Sequence, residues 1–144
     1  WRPAQALEPG AEAVFSYRMR ALSGAGTAAL HDTGRAINTF QAPSRASGSS
    51  APGEATTRRF LVDFAGGARA YHLQAPEAVE AMASTTSGEI VHTSITPNSE
   101  IGGFRAAFDL EAPAGENADL RLFLRAGDRA LTETWTYPWR APSA

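Results

Sequence analysis

Two aspartates occupy matching places in the sequence, Asp63 and Asp109, each at the end of a Phe-containing alternating segment. Paired carboxylates can hydrolyse a glycosidic bond when one serves as general acid and the other as base or nucleophile, provided that both face one cleft. Arginines stand close by in the sequence, at Arg59 and Arg105. The alternative is that each aspartate points outward and pairs with such an arginine. The sequence favours this structural role, so we assign no catalytic residue.

The three histidines, His31, His72 and His92, are isolated from one another, without the short spacings of a metal motif. A site built from three separate strands stays open, but surface or half-buried histidines are the simpler interpretation. The chain has no cysteine, which excludes disulfides and thiolate ligands. It also lacks the GxSxG, Walker A and GxGxxG signatures. We therefore expect no metal and no cofactor.

Three aromatic residues, Trp135, Tyr137 and Trp139, alternate along the last apolar segment and would share one face of a strand. Such a face could stack on sugar rings, as in carbohydrate-binding modules. It could equally lie in the core or dock against a neighbouring domain, because aromatic side chains carry large apolar areas and are most often buried. The pattern favours core or domain interface. Trp1, at the start of the chain, is a further candidate contact.

The elements that would position these residues are short strands. Phe60, Val62 and Phe64 alternate with polar residues and end at Gly66-Gly67, the pattern of a strand with one apolar face and a tight turn. Similar patterns, separated by turn residues, occur at residues 13–20, 28–42, 70–73, 79–84, 89–96, 104–110, 120–124 and 131–139. Seven to nine such strands predict an all-β fold, an Ig-like antiparallel β-sandwich.

The same patterns predict which side chains are buried. We expect Ile37 and Phe40 to be buried, and Val91, Thr93 and Ile95 to form the core face of their strand. Inward faces are also expected for two later strands, at residues 104, 106, 108 and 110, and at residues 120, 122 and 124. The Ser, Gly and Pro content of residues 43–54 predicts a mobile loop. We expect residues 140–144 to form a tail.

The length, charge and apolar content of the chain limit its possible fold and function. The chain of 144 residues has the length of one domain, so we interpret residues 1–144 as a single β-sandwich. A net charge of -2 gives no electrostatic basis for nucleic-acid binding. No apolar run approaches the roughly 20 residues of a membrane span. The beginning Trp1-Arg2-Pro3 fits a mature secreted protein or a domain cut from a longer protein. We favour the cut domain, because a tryptophan at the end of a chain usually packs against another surface.

Several stretches resemble the C-terminal domain of the periplasmic glucans biosynthesis protein G/D family. They are Trp1-Arg2-Pro3-Ala4-Gln5 with the following Phe15-Ser16-Tyr17-Arg18-Met19, Arg59 to Gly67, Gly102-Gly103-Phe104-Arg105 with Phe108-Asp109-Leu110, and, most specifically, Leu120 to Arg125 and Leu131 to Trp139. The resemblance spans nearly the whole chain except residues 43–54.

The resemblance implies a periplasmic location and a role in making osmoregulated periplasmic glucans, which have a β-1,2-linked backbone. It implies a larger N-terminal glucan-acting domain in the same protein, which carries the glycosidic-bond chemistry, while this smaller domain is accessory and is not itself an enzyme. Trp1, Trp135, Tyr137 and Trp139 would then contact that domain or the sugar. The alternative is an independent carbohydrate-binding module that uses the aromatic strand face to bind β-glucan.

Overall fold

The computed structural model describes residues 8–10, 12–19, 21, 33–44, 57–67 and 75–143. Within these residues the chain forms eight strands and two single-turn 3₁₀ helices. In chain order they are β1 (Arg35–Pro43), β2 (Thr57–Ala65), the 3₁₀ turn Pro76–Ala78, β3 (Glu80–Thr85), β4 (Glu89–Asn98), the 3₁₀ turn Ser99–Ile101, β5 (Gly103–Glu111), β6 (Asn117–Ala126), β7 (Arg129–Ala130) and β8 (Trp135–Arg140).

The strands form two sheets. The first has the order β1-β2-β5-β4, and the second has β6 at its centre, paired with β3 on one side and with β7 and β8 on the other. All of these pairings are antiparallel. The predicted all-β architecture of two antiparallel sheets is therefore confirmed.

The core lies between the two sheets and is built from the alternating apolar faces of the central strands. Strand β2 contributes Phe60, Val62 and Phe64, all fully buried. The predicted inward faces of β5 and β6 are also fully buried, at Phe104, Ala106, Phe108 and Leu110 and at Leu120, Leu122 and Leu124. The sequence pattern predicted these three strands correctly because a central strand buries one whole face.

The core face predicted for β4 is confirmed at Ile95 and was wrong at Val91, because the strand contains a bulge. Its pairing with β5 shifts register between Ile90 and His92, which leaves Val91 as an extra residue. A bulge reverses the inward and outward alternation beyond it. As a result, Ile90 and Ile95 both pack against the core although they are an odd number of residues apart, and Val91 is 46% exposed.

The prediction that Ile37 and Phe40 are buried was also wrong, since they are 48% and 49% exposed. Ile37 lies at a second register shift in β1, an edge strand. Phe40 is paired with Leu61 and lies on the outer face of the sheet, while the adjacent Thr39 is on the side of the buried Val62.

The strand predicted at residues 13–20 is not present over residues 12–19, which adopt no regular structure and are exposed. The predicted strand 70–73 and residues 45–54 of the predicted loop lie outside the described residues. The tail predicted for residues 140–144 begins inside the fold, because Arg140 ends β8 and Ala141 is buried. The backbone N–H of Ala141 donates to the carbonyl of Glu116 over 2.9 Å.

Candidate functional site

The two aspartates singled out by the sequence lie on β2 and β5, on the outer face of the first sheet. Asp63 is directly opposite Arg105 in the strand register. The guanidinium donates from Nε to Oδ1 over 2.7 Å and from Nη2 to Oδ2 over 2.9 Å. Asn38 of β1 adds a third hydrogen bond, from Nδ2 to Oδ2 over 3.3 Å. Asp63 thus belongs to a polar cluster that spans three strands.

Asp109 forms a similar ion pair, but here β5 supplies the aspartate and β2 supplies the arginine. It faces Arg59 across the β2–β5 pair, and Nε and Nη2 of Arg59 each donate to one carboxylate oxygen over 2.7 Å. Ser44 also contributes, less than Arg59, to lowering the pKa of the Asp109 carboxyl. Both aspartates are buried, whereas the side chains of Arg59 and Arg105 are 37% and 39% exposed. The arginines therefore cover the carboxylates from the solvent side.

These contacts determine the ionisation of the two carboxyls. The hydrogen bonds from Arg105 are the main cause that lowers the pKa of Asp63, and those from Arg59 lower the pKa of Asp109; burial opposes both shifts. A general acid in glycoside hydrolysis needs a raised pKa. Two carboxylates held ionised by bidentate arginines are suited to joining strands, which is the outward-pairing alternative drawn from the sequence.

The aromatic residues of the last strand surround Phe60 of the opposite sheet. The ring centroids of Trp135, Tyr137 and Trp139 lie 6.4, 5.9 and 6.0 Å from that of Phe60. Phe60 is itself stacked on Phe108, with centroids 5.2 Å apart. Contacts of this kind stabilise a core beyond the area that they bury. The aromatic strand therefore completes the core between the sheets.

Solvent reaches these rings only at their margins. Trp135 is 8% exposed and Trp139 is 9% exposed, while Tyr137 is half-buried and stacked on Trp135. The indole N–H of Trp135 donates to Oγ1 of Thr39 over 2.9 Å, which ties β8 to β1 of the other sheet. Trp1, the fourth predicted contact residue, lies outside the described residues.

A shallow, open depression lies beside Trp139, on the outer side of the β6–β8 pair. It is lined by Asn117, Ala118, Asp119, Pro138, Trp139 and Arg140. Asn117, Asp119 and Arg140 are exposed and carry the amide, carboxylate and guanidinium groups that hydrogen-bond hydroxyl-rich ligands. Sequence reasoning missed this site, because the depression depends on the β6–β8 register rather than on a motif.

The histidines do not form a metal site in the part of the chain that the structure describes. His31 and His72 lie outside that part, and His92 is exposed on β4, opposite Asp109. Among the described residues, no group of three or more His, Cys, Asp or Glu side chains could hold a metal ion. The same residues contain no helix that is long and apolar enough to span a membrane.

These features define a β-sandwich module whose conspicuous carboxylates and aromatic residues serve its own packing. Over residues 1–139 the sequence matches the model of the family described as "Periplasmic glucan biosynthesis protein, MdoG". The chain therefore belongs to that family.

Comparison with curated proteins finds relatives across the whole chain. It is 33% identical over 144 residues to a probable glucans biosynthesis protein D of Shewanella oneidensis, with 99% of this chain and 26% of the relative covered. It is 36% identical over 146 residues to glucans biosynthesis protein D of Stenotrophomonas maltophilia, with 100% and 26% covered. For glucans biosynthesis protein D 1 of Ralstonia nicotianae the identity is 36% over 144 residues, with 99% and 26% covered. The chain thus spans about a quarter of the length of these relatives.

Proposed function

We propose that this chain is the accessory C-terminal domain, of Ig-like type, of a longer periplasmic protein required for the biosynthesis of osmoregulated glucans with a β-1,2-linked backbone. It packs on a larger glucan-acting domain of the same protein and helps to shape or cover the sugar cleft there. The family match over residues 1–139 supports the glucan pathway and the periplasmic location. The coverage of only 26% of the relatives supports the presence of a larger domain.

The observation that carries the accessory role is the state of Asp63 and Asp109. Each is buried beneath a bidentate arginine and has a lowered pKa. Glycosidic-bond chemistry requires one carboxyl that holds a proton and a second that reaches the sugar. This pair meets neither requirement, which supports the proposal that the larger domain carries the chemistry.

The alternative function is an independent carbohydrate-binding module. The burial of Trp135 and Trp139 opposes a version that uses the aromatic strand as an open platform. The depression of Asn117, Asp119 and Arg140 beside Trp139 favours a weaker, hydrogen-bonding version. In either version the isolated chain would bind glucan without its larger partner, whereas in the accessory role it contributes only when docked.

The accessory role is tested by measuring reducing ends released from linear β-1,2-glucan by three proteins: this chain, the longer protein and the longer protein without this domain. We expect no turnover by the isolated chain and reduced turnover when the domain is removed. Asp63→Asn and Asp109→Asn in the longer protein should leave turnover intact wherever the fold persists. Hydrolysis by the isolated chain that is lost in a folded Asp109→Asn variant would overturn the proposal.

A further inference from the structure

Residues 12–19 expose more apolar side chain than any other described part of the chain. Val14 is 89% exposed, Tyr17 80% and Met19 84%. The segment forms no helix or strand, and each of its residues is exposed. Several large apolar side chains that are this exposed within one short segment are typical of an interaction surface. This exposure indicates that residues 12–19 form an interaction surface.

The sequence of this segment is nevertheless that of a strand. Val14-Phe15-Ser16-Tyr17-Arg18-Met19 contains a β-branched residue and two aromatic residues, the types that favour strands. In an extended conformation Tyr17 and Met19 would share one face with Phe15, and Val14 would share the other with Ser16 and Arg18. A segment with strand character that is not a strand of either sheet is suited to adding to the edge of another sheet.

We propose that residues 12–19 are the docking strand of this domain: they pair with a sheet edge in the larger domain of the same polypeptide and insert Tyr17 and Met19 into its apolar surface. This inference rests on the proposed function and names the contact through which the domain packs. A larger domain of the same polypeptide is available as the partner, because this chain matches only 26% of the length of each relative.

Because the two domains would belong to one polypeptide, a short docking strand would be sufficient to hold them together. A tethered partner has a millimolar effective concentration, so a few main-chain hydrogen bonds and two buried side chains produce stable docking. A second copy of the chain would have to reach the same concentration in free solution. The tethered domain is therefore the favoured occupant, and the self-associated form is an outcome that the test must detect.

The test compares hydrogen exchange of residues 12–19 in this chain and in the longer protein, with small-angle scattering of the longer protein as an independent measure of docking. We expect at least tenfold slower exchange of these amides in the longer protein. The double variant Tyr17→Asp/Met19→Asp should restore fast exchange and expand the particle. The matched control is Val91→Asp, which places the same charge at another exposed apolar site and should change neither measurement.

The outcomes separate the two proposals. Compact scattering with fast exchange at residues 12–19 would overturn the docking strand and leave the accessory role standing. An extended particle, with the two domains moving independently, would overturn both. Slow exchange already present in this chain, together with a concentration-dependent dimer, would identify a second copy as the occupant and would also overturn the docking strand as proposed.

Discussion

Arg59 and Asp109 face each other directly across the β2–β5 pair and are joined by two parallel hydrogen bonds of 2.7 Å. Asp63 and Arg105 repeat the contact further along the same two strands with the charges exchanged. A shift in strand register would separate both pairs, and a shift of four residues would place Arg59 opposite Arg105 or Asp63 opposite Asp109. These pairs therefore specify the register of the central strands as well as stabilising it.

Replacing Asp109 with Asn should destabilise the domain by about 1–3 kcal/mol, because an amide cannot accept both hydrogen bonds of the Arg59 guanidinium and leaves buried polar groups unsatisfied. Urea unfolding followed by circular dichroism measures the change. Asp128→Asn, the same substitution in the exposed β6–β7 turn, should stay within about 0.5 kcal/mol. Equal effects of the two substitutions would show that the ion pair adds no stability.

Stability should fall in acid through the same carboxyls. Asp63 and Asp109 have pKa values below the ordinary 3.8, so the unfolded chain takes up protons before the folded chain does. Their stabilising contribution is complete above that value and is lost as the pH falls through it and below. The difference in unfolding free energy between the native chain and Asp109→Asn should therefore shrink below pH 3.8. A difference that grows in acid would contradict this linkage.

The tie between Trp135 and Thr39 predicts a specific effect of Thr39→Val. The substitution nearly preserves the volume of the side chain but removes the acceptor of the indole N–H, which should cost about 1–3 kcal/mol. Thr96→Val is the control, since the Thr96 hydroxyl makes only an exposed contact of 3.5 Å with the Arg105 carbonyl. A shift in Trp fluorescence should accompany the loss of stability only in Thr39→Val.

Two glycines should lose stability to different degrees when they are replaced with alanine. A Cβ on Gly103, at the start of β5, would lie 2.0 Å from the carbonyl oxygen of Phe64, so the β2–β5 backbone would have to move apart. We expect a loss of about 3 kcal/mol or failure to fold. Gly127 has open space around it and a φ of 55°, so Gly127→Ala should cost only about 1–2 kcal/mol for the left-handed backbone. Thermal unfolding of Gly103→Ala and Gly127→Ala measures the two losses of stability.

The buried faces of the central strands could be predicted from the sequence, whereas those of the edge strands β1 and β4 could be predicted only in part. The alternation of Phe60, Val62 and Phe64 was sufficient because a regular central strand has no freedom of register. At β4 the bulge at Val91 reversed the alternation, and nothing in the local composition marks such an insertion. At β1, Phe40 lies on the outer face because the strand register, which shifts at Ile37, pairs it with Leu61 rather than with a buried residue.

The roles of the candidate site residues depended on contacts between distant parts of the chain. The sequence indicated that arginines would pair with Asp63 and Asp109, which is confirmed, but only the register decides that Arg59 reaches Asp109 and Arg105 reaches Asp63. Similarly, the alternation of Trp135, Tyr137 and Trp139 predicts a shared face. Only the structure shows that this face packs against Phe60 of the other sheet and is therefore part of the core.

The measurement that tests the accessory role most directly is a titration of this chain with linear β-1,2-glucan, followed by Trp fluorescence and NMR chemical shifts. We predict no saturable response at millimolar glucan, including at Asn117 and Asp119 of the depression beside Trp139. Saturable binding that disappears in a still-folded Trp139→Phe or Tyr137→Ala variant would contradict the accessory role. It would establish the chain as an independent sugar-binding module.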